Sequence, residues 1–164
     1  MAAGKFFVII GALLTLVSTF FFSFFNAGGS TYGWGIGFIL NLTDIMANPG
    51  TYVAGETMTV YIVAIVLIVF LISGILQLLG LAARAFAILG SIIVLGMGVV
   101  ILIAVYGWLP DMTPYASLLV SDPIAPGVFP LDIPLGGVSL GTYLLLGGGV
   151  LGLIGGIIGT KDSY

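Results

Sequence analysis

Four stretches of about twenty residues, enough for α-helices to cross the ~30 Å hydrocarbon core of a bilayer, contain no Asp, Glu, Lys or Arg. They cover residues 6–25, 58–81, 85–106 and 137–159. Only 5% of the 164 residues are charged, against about 25% in soluble domains. A soluble chain so poor in charge has too few polar groups to cover its surface, so its solvent is largely lipid. The fold class is therefore an all-α membrane protein, a four-transmembrane-helix bundle forming a single integral membrane domain. Outer loops fill residues 26–57 and 107–136, an inner turn fills 82–84, and a tail fills 160–164. Lys5 and the apolar run from Phe6 have the outline of a secretory signal. That run is long for one, however, and Phe25-Asn26-Ala27 offers no small residue at the −3 position.

Charge sets the expected orientation. Lys5 precedes the first span, Arg84 lies in the turn between the second and third, and Lys161 follows the fourth. All three fall on one side, which positive-inside bias assigns to the cytoplasm. Asp44, Glu56, Asp111, Asp122 and Asp132 fall on the other side, and only Asp162 does not. The expectation is a plasma-membrane protein with both termini cytoplasmic and two extracytoplasmic loops. Low charge and short, Cys-free, Pro-rich loops suit a prokaryotic, archaeal-type surface.

The chain repeats itself. "FVIIGALLTL" (7–16) aligns with "FAILGSIIVL" (86–95) at an offset of 79, keeping Phe, Ile, Gly and the final Leu. "LISGIL" (71–76) aligns with "LIGGII" (153–158) at an offset of 82, and Tyr61 meets Tyr143 at that same offset. Tyr-Gly-Trp occurs at Tyr32–Trp34 and again at Tyr106–Trp108. Two helix–outer loop–helix hairpins, residues 5–81 and 84–159, read as a parallel internal repeat about an axis along the membrane normal. Tyr32, Trp34, Tyr106 and Trp108 are expected at the outer headgroup level, where amphipathic rings are favoured.

Both outer loops are too apolar for solvated linkers and are expected to be ordered. "NLTDIMAN" (41–48) offers a short helix with Asn41 or Thr43 as cap and a stop near Pro49. Thr113-Pro114 offers a cap and first position for another. Asn41-Leu42-Thr43 is an N-x-T sequon on the outer side, which makes Asn41 a candidate N-glycosylation site.

Small residues mark the packing faces. Gly148, Gly152 and Gly156 recur every fourth residue in the last span, and Gly155 pairs with Gly159. Gly11 and Thr15 lie on one face of the first span, with Ser18 and Thr19. Such faces let helix backbones approach closely. They can serve packing within the bundle or contact between subunits.

Several chemistries are excluded. With no His and no Cys, the chain has no thiol or imidazole catalysis and no Cys/His metal site. No ionisable group lies within a span to relay protons or couple ions. The carboxylates are scattered over loops; Asp111, Asp122 and Asp132 form the one loop group that could hold a cation, though plain solvation accounts for them. No cofactor site is expected, nothing basic meets nucleic acid, and the chain does not read as an enzyme.

The plan of cytoplasmic termini, two outer loops and a short inner turn resembles the claudin-like topology. Claudins carry Gly-Leu-Trp and two cysteines in the first outer loop; here Gly33-Trp34-Gly35-Ile36 stands in that region without Cys. The tetraspanin Cys-Cys-Gly is also missing. The functional expectation is a non-enzymatic tetraspan scaffold. Its partners are the lipid bilayer and either further copies of itself, as a homo-oligomer, or other membrane subunits. The alternatives are an accessory subunit of a larger membrane complex, and a pore or carrier for an uncharged or lipid-like solute.

Overall fold

The computed structural model describes residues 3–159; the tail, with Lys161 and Asp162, lies outside the described residues. Four helices are long and apolar enough to cross a membrane: α1 (Ala3–Phe21), α3 (Thr57–Leu79), α4 (Arg84–Val105) and α5 (Leu140–Ile158). At ~1.5 Å per residue, helices of 19 to 23 residues match a ~30 Å core. A shorter helix, α2 (Gly35–Ala47), lies in the segment between α1 and α3.

The long helices form a ring in the order α1, α3, α4, α5, and α5 closes back on α1, its most intimate neighbour. Their faces are inverted relative to a soluble bundle. Thr15, Ser18, Ser73, Gln77, Ser91 and Thr142 are buried, while Ile62, Ile65, Val69, Ile72, Ile92 and Ile157 are exposed. Lipid supplies no hydrophobic drive between helices, so close contacts and hydrogen bonds hold the interior.

The first span is shorter than its apolar run, ending at Phe21 instead of Phe25. Other backbones compete for the next four residues. Ser23 N–H donates to Leu131 O (3.1 Å), Phe24 N–H donates to Gly33 O (2.7 Å), and Phe24 O accepts from Ser139 N–H (2.7 Å). The last span starts three residues late, at Leu140, because Gly136 (φ 80°) and Gly137 form the turn of a hairpin joining β4 (Pro134–Leu135) to β5 (Val138–Ser139). The middle two spans start and end within two residues of expectation.

The outer segments join into one cap. Strands β1 (Phe25–Gly28) and β2 (Thr31–Gly33) form a hairpin turned by Gly28 and Gly29, both at positive φ. The second outer loop contributes β3 (Val120–Ser121), which pairs antiparallel with β2 and completes a three-stranded sheet.

Helix α2 begins at Gly35, so Asn41 and Thr43 lie inside it and cap nothing. Glycine is a poor helix former, yet Gly35 and Gly37 are needed here. A methyl group on Gly35 would strike the Thr19 carbonyl, and one on Gly37 the Leu119 carbonyl. The helix stops at Ala47, just before Pro49, as expected. Thr113-Pro114 does not start a helix either: both lie inside a 3-10 segment, Pro110–Leu119, and the Thr113 hydroxyl donates to Ala104 O at 3.2 Å, at the end of α4.

Candidate functional site

The cap is held by side chains that reach across the two loops. Trp34 is fully buried; its Nε1–H donates to Ser121 Oγ at 2.9 Å and its ring meets Phe129 edge-on at 5.1 Å. The Asn41 amide donates to Val120 O at 2.7 Å and to Leu118 O at 3.3 Å. Around these, Phe24, Phe38, Ile45 and Leu118 are fully buried.

Asp132 ties the cap to the bundle. Its carboxylate accepts from Ser23 Oγ and Ser139 Oγ, each at 2.5 Å, and from Asn26 Nδ2 at 3.4 Å. Ser23 follows α1 and Ser139 precedes α5, so one anion joins the outer ends of both helices. It also sits at the N-terminal end of α5, where the helix dipole favours negative charge. Asp111, Asp122 and Asp132 do not gather: among the described residues no three carboxylates meet to hold a metal ion.

On the far side of the cap, Asp44 accepts from Tyr52 OH and from Asn48 Nδ2, both at 3.0 Å. Burial, the hydrogen bond to Asp44 and that carboxylate's charge together push the Tyr52 hydroxyl up to about 12.

The four interface aromatics separate. Tyr106 and Trp108 are exposed and stack at 5.6 Å with 19° between their planes. Tyr32 is half-buried in β2. Trp34 has no exposed surface, so it is not a free interface ring like Trp108: pairing of β2 with β3 turns it into the cap. Asn41 is likewise committed. A sugar on Nδ2 would replace one of the two hydrogens now donated to the second loop.

The glycines pack within one chain. A methyl group on Gly148 would lie 2.7 Å from Thr15 Oγ1, one on Gly155 2.6 Å from Gly4 O, and one on Gly156 2.7 Å from Ile88 Cγ1. Gly152 faces Ser91 and Gln77, and Gly11 faces Gly148 and Gly152. Gly159 ends α5 at φ 98°, with its carbonyl against Gly4. Thr15 Oγ1 donates to Gly11 O at 2.9 Å, and Ser18 Oγ donates to Gly141 O at 2.6 Å. The hydroxyl face of α1 therefore meets the glycine face of α5.

A polar cluster joins three helices inside the bundle. Gln77, fully buried, donates through Nε2 to Ser91 Oγ (3.0 Å) and Gly148 O (3.4 Å). Helices α3, α4 and α5 are thereby locked in register.

Beneath the cap a groove of about 620 Å³ opens sideways between α3 and α4. Val63, Val66 and Phe70 form one wall, and Ile93, Met97 and Ile101 form the other. Met112, Tyr115 and Leu119 of the 3-10 segment line its cap end together with Phe25. Sequence reasoning missed it because its lining comes from four separate segments. Gly96 of α4 also lines it.

Compared with known proteins, the chain matches no family model, no curated protein and no solved structure.

Proposed function

We propose that the chain is a non-enzymatic structural protein of the plasma membrane that works by displaying the cap as a rigid contact surface and assembling with copies of itself. One observation carries this reading. The cap's polar groups are spent on one another, in the Trp34–Ser121, Asn41–Val120 and Asp132–Ser139 bonds. Meanwhile Trp108, Ile124 and Val128 stand more than half exposed. An ordered body with large apolar side chains turned outward is suited to contact.

The α5 glycines do not serve that contact in this reading, because α1, α3 and α4 already occupy them. Gly152→Leu would then damage the bundle itself and says nothing specific about assembly. The spans leave the outward faces of α3 and α4 for neighbours or lipid.

The finer architecture follows from the same reading. Lys5 and Arg84 begin α1 and α4 at one end, and the cap with its five acidic residues lies at the other. This distribution supports cytoplasmic termini and an outer cap, in a claudin-like arrangement on a prokaryotic surface. The repeat also gains support. Gly11 of α1 lies against α5, and its counterpart Gly90 lies against α3; Gly74 of α3 lies against α1, and its counterpart Gly156 lies against α4. A two-fold axis through the ring exchanges these pairs.

The test is the mass of the protein expressed alone, extracted in mild detergent and measured by light scattering with negative-stain imaging. Regular homo-oligomers that fall to monomers in Ile124→Asp/Val128→Asp support the scaffold. A monomeric wild type overturns it and leaves the accessory-subunit role.

A further inference from the structure

We infer that the groove between α3 and α4 is a binding site for one hydrocarbon chain of a membrane lipid in the cap-side leaflet. The inference stands apart from the scaffold reading.

The groove's length points to this occupant. It runs along α3 from Thr59 to Phe70. Eleven steps of ~1.5 Å give about 16 Å, which is one leaflet's share of a ~30 Å hydrocarbon core. Its volume of about 620 Å³ falls in the ordinary range for small-molecule sites.

Its chemistry is graded along that length. The deep walls are aliphatic apart from Phe70 and the Met97 thioether. Hydroxyls occur only at the cap end, on Thr59 and Tyr115. Thr59 Oγ1 donates to Glu56 Oε2 at 2.8 Å. A polar mouth above an apolar slot fits a lipid whose head group stays at the interface. Glu56 at that mouth favours a neutral, zwitterionic or amine-bearing head over an anionic one.

Gly96 is the independent observation. Glycine inside a helix is less favourable than alanine. Most glycines in these four helices meet a neighbouring atom that excludes a side chain, but a Cβ on Gly96 would meet nothing within 4 Å. Helix packing therefore gives no reason for it. It lines the groove and keeps the slot open to its floor. Gly147 of α5 is equally open but does not line this groove, so it serves as a control.

The experiment reconstitutes the full chain in bilayers containing a phosphatidylcholine with a diazirine on its acyl chain, then maps the photoadducts by mass. Outward residues such as Val150 label in every sample. Met97 and Ile101, at 8% and 2% exposure, are reachable through the groove. The expected result is labelling at these two in wild type and Gly147→Phe, lost in Gly96→Phe. Val66→Phe, which narrows the opening from α3, gives the same loss independently if Gly96→Phe fails to fold. Equal labelling at Met97 and Ile101 in blocked and open proteins overturns the inference, as does no labelling there at all. Cross-linking of the groove to a second copy in place of lipid overturns it too.

Discussion

A methyl group placed on Gly11 would lie 2.5 Å from the backbone nitrogen of Gly152. The two helix backbones thus touch at this point, and a side chain on Gly11 cannot grow without separating them. Gly11→Ala should lower stability by about 1–3 kcal/mol, the usual cost of overfilling a packed interior. Gly147→Ala, in open space, should be neutral or stabilise by up to about 1 kcal/mol. Thermal unfolding in detergent, followed by circular dichroism, separates the two; equal effects would refute the contact.

The two tryptophans should report opposite surroundings. With Trp108→Phe, emission comes from Trp34 alone and should be blue-shifted and shielded from acrylamide, because that ring has no exposed surface. With Trp34→Phe, the remaining Trp108 should be quenched. Trp34→Ala should cost about 3–5 kcal/mol, typical of a large buried aromatic.

Asp132→Ala leaves the buried Ser139 hydroxyl without its acceptor and returns Ser23 Oγ to a 3.5 Å contact with Leu131 O. Each hydrogen bond to a charged group contributes about 1.5–3 kcal/mol, so the outer ends of α1 and α5 should loosen first. Amide hydrogen exchange at Ser139 and Gly141 should rise well above that of the inner helix ends. Asp132→Asn keeps one acceptor oxygen and should recover part of the protection.

Tyr52 gives the pH dependence. Its proton is held up to about 12 in the folded chain and 10.0 is the ordinary value. The folded state therefore binds the proton more tightly, and the Tyr52 contribution is fully present below pH 10 and lost as pH rises toward 12. Ultraviolet titration should find one tyrosine ionising late. Asp44→Asn should shift it back toward 10.0, and Tyr52→Phe should remove that part of the alkaline loss of stability.

Four helices long and apolar enough to cross a membrane were legible in the sequence. Apolar length and charge-free runs are properties of consecutive residues, and they survive any arrangement of neighbours. The same reasoning set the middle span boundaries within two residues. It overran the first span by four residues because Phe22–Phe25 are as apolar as a helix needs but are claimed by distant backbone.

Everything decided by partners far along the chain needed the tertiary structure. Two identical Tyr-Gly-Trp motifs ended in opposite surroundings, because one is followed by a helix that β3 covers and the other is not. Glycine is a poor helix former, but the nearby Thr19 carbonyl leaves no room for a side chain at Gly35. The groove is lined by four segments that carry no shared pattern. Local sequence fixes what each segment prefers as solvent and conformation. Only the folded chain brings Ser18 to Gly141, 123 residues away, and so determines which faces are spent inside and which remain for lipid or a partner.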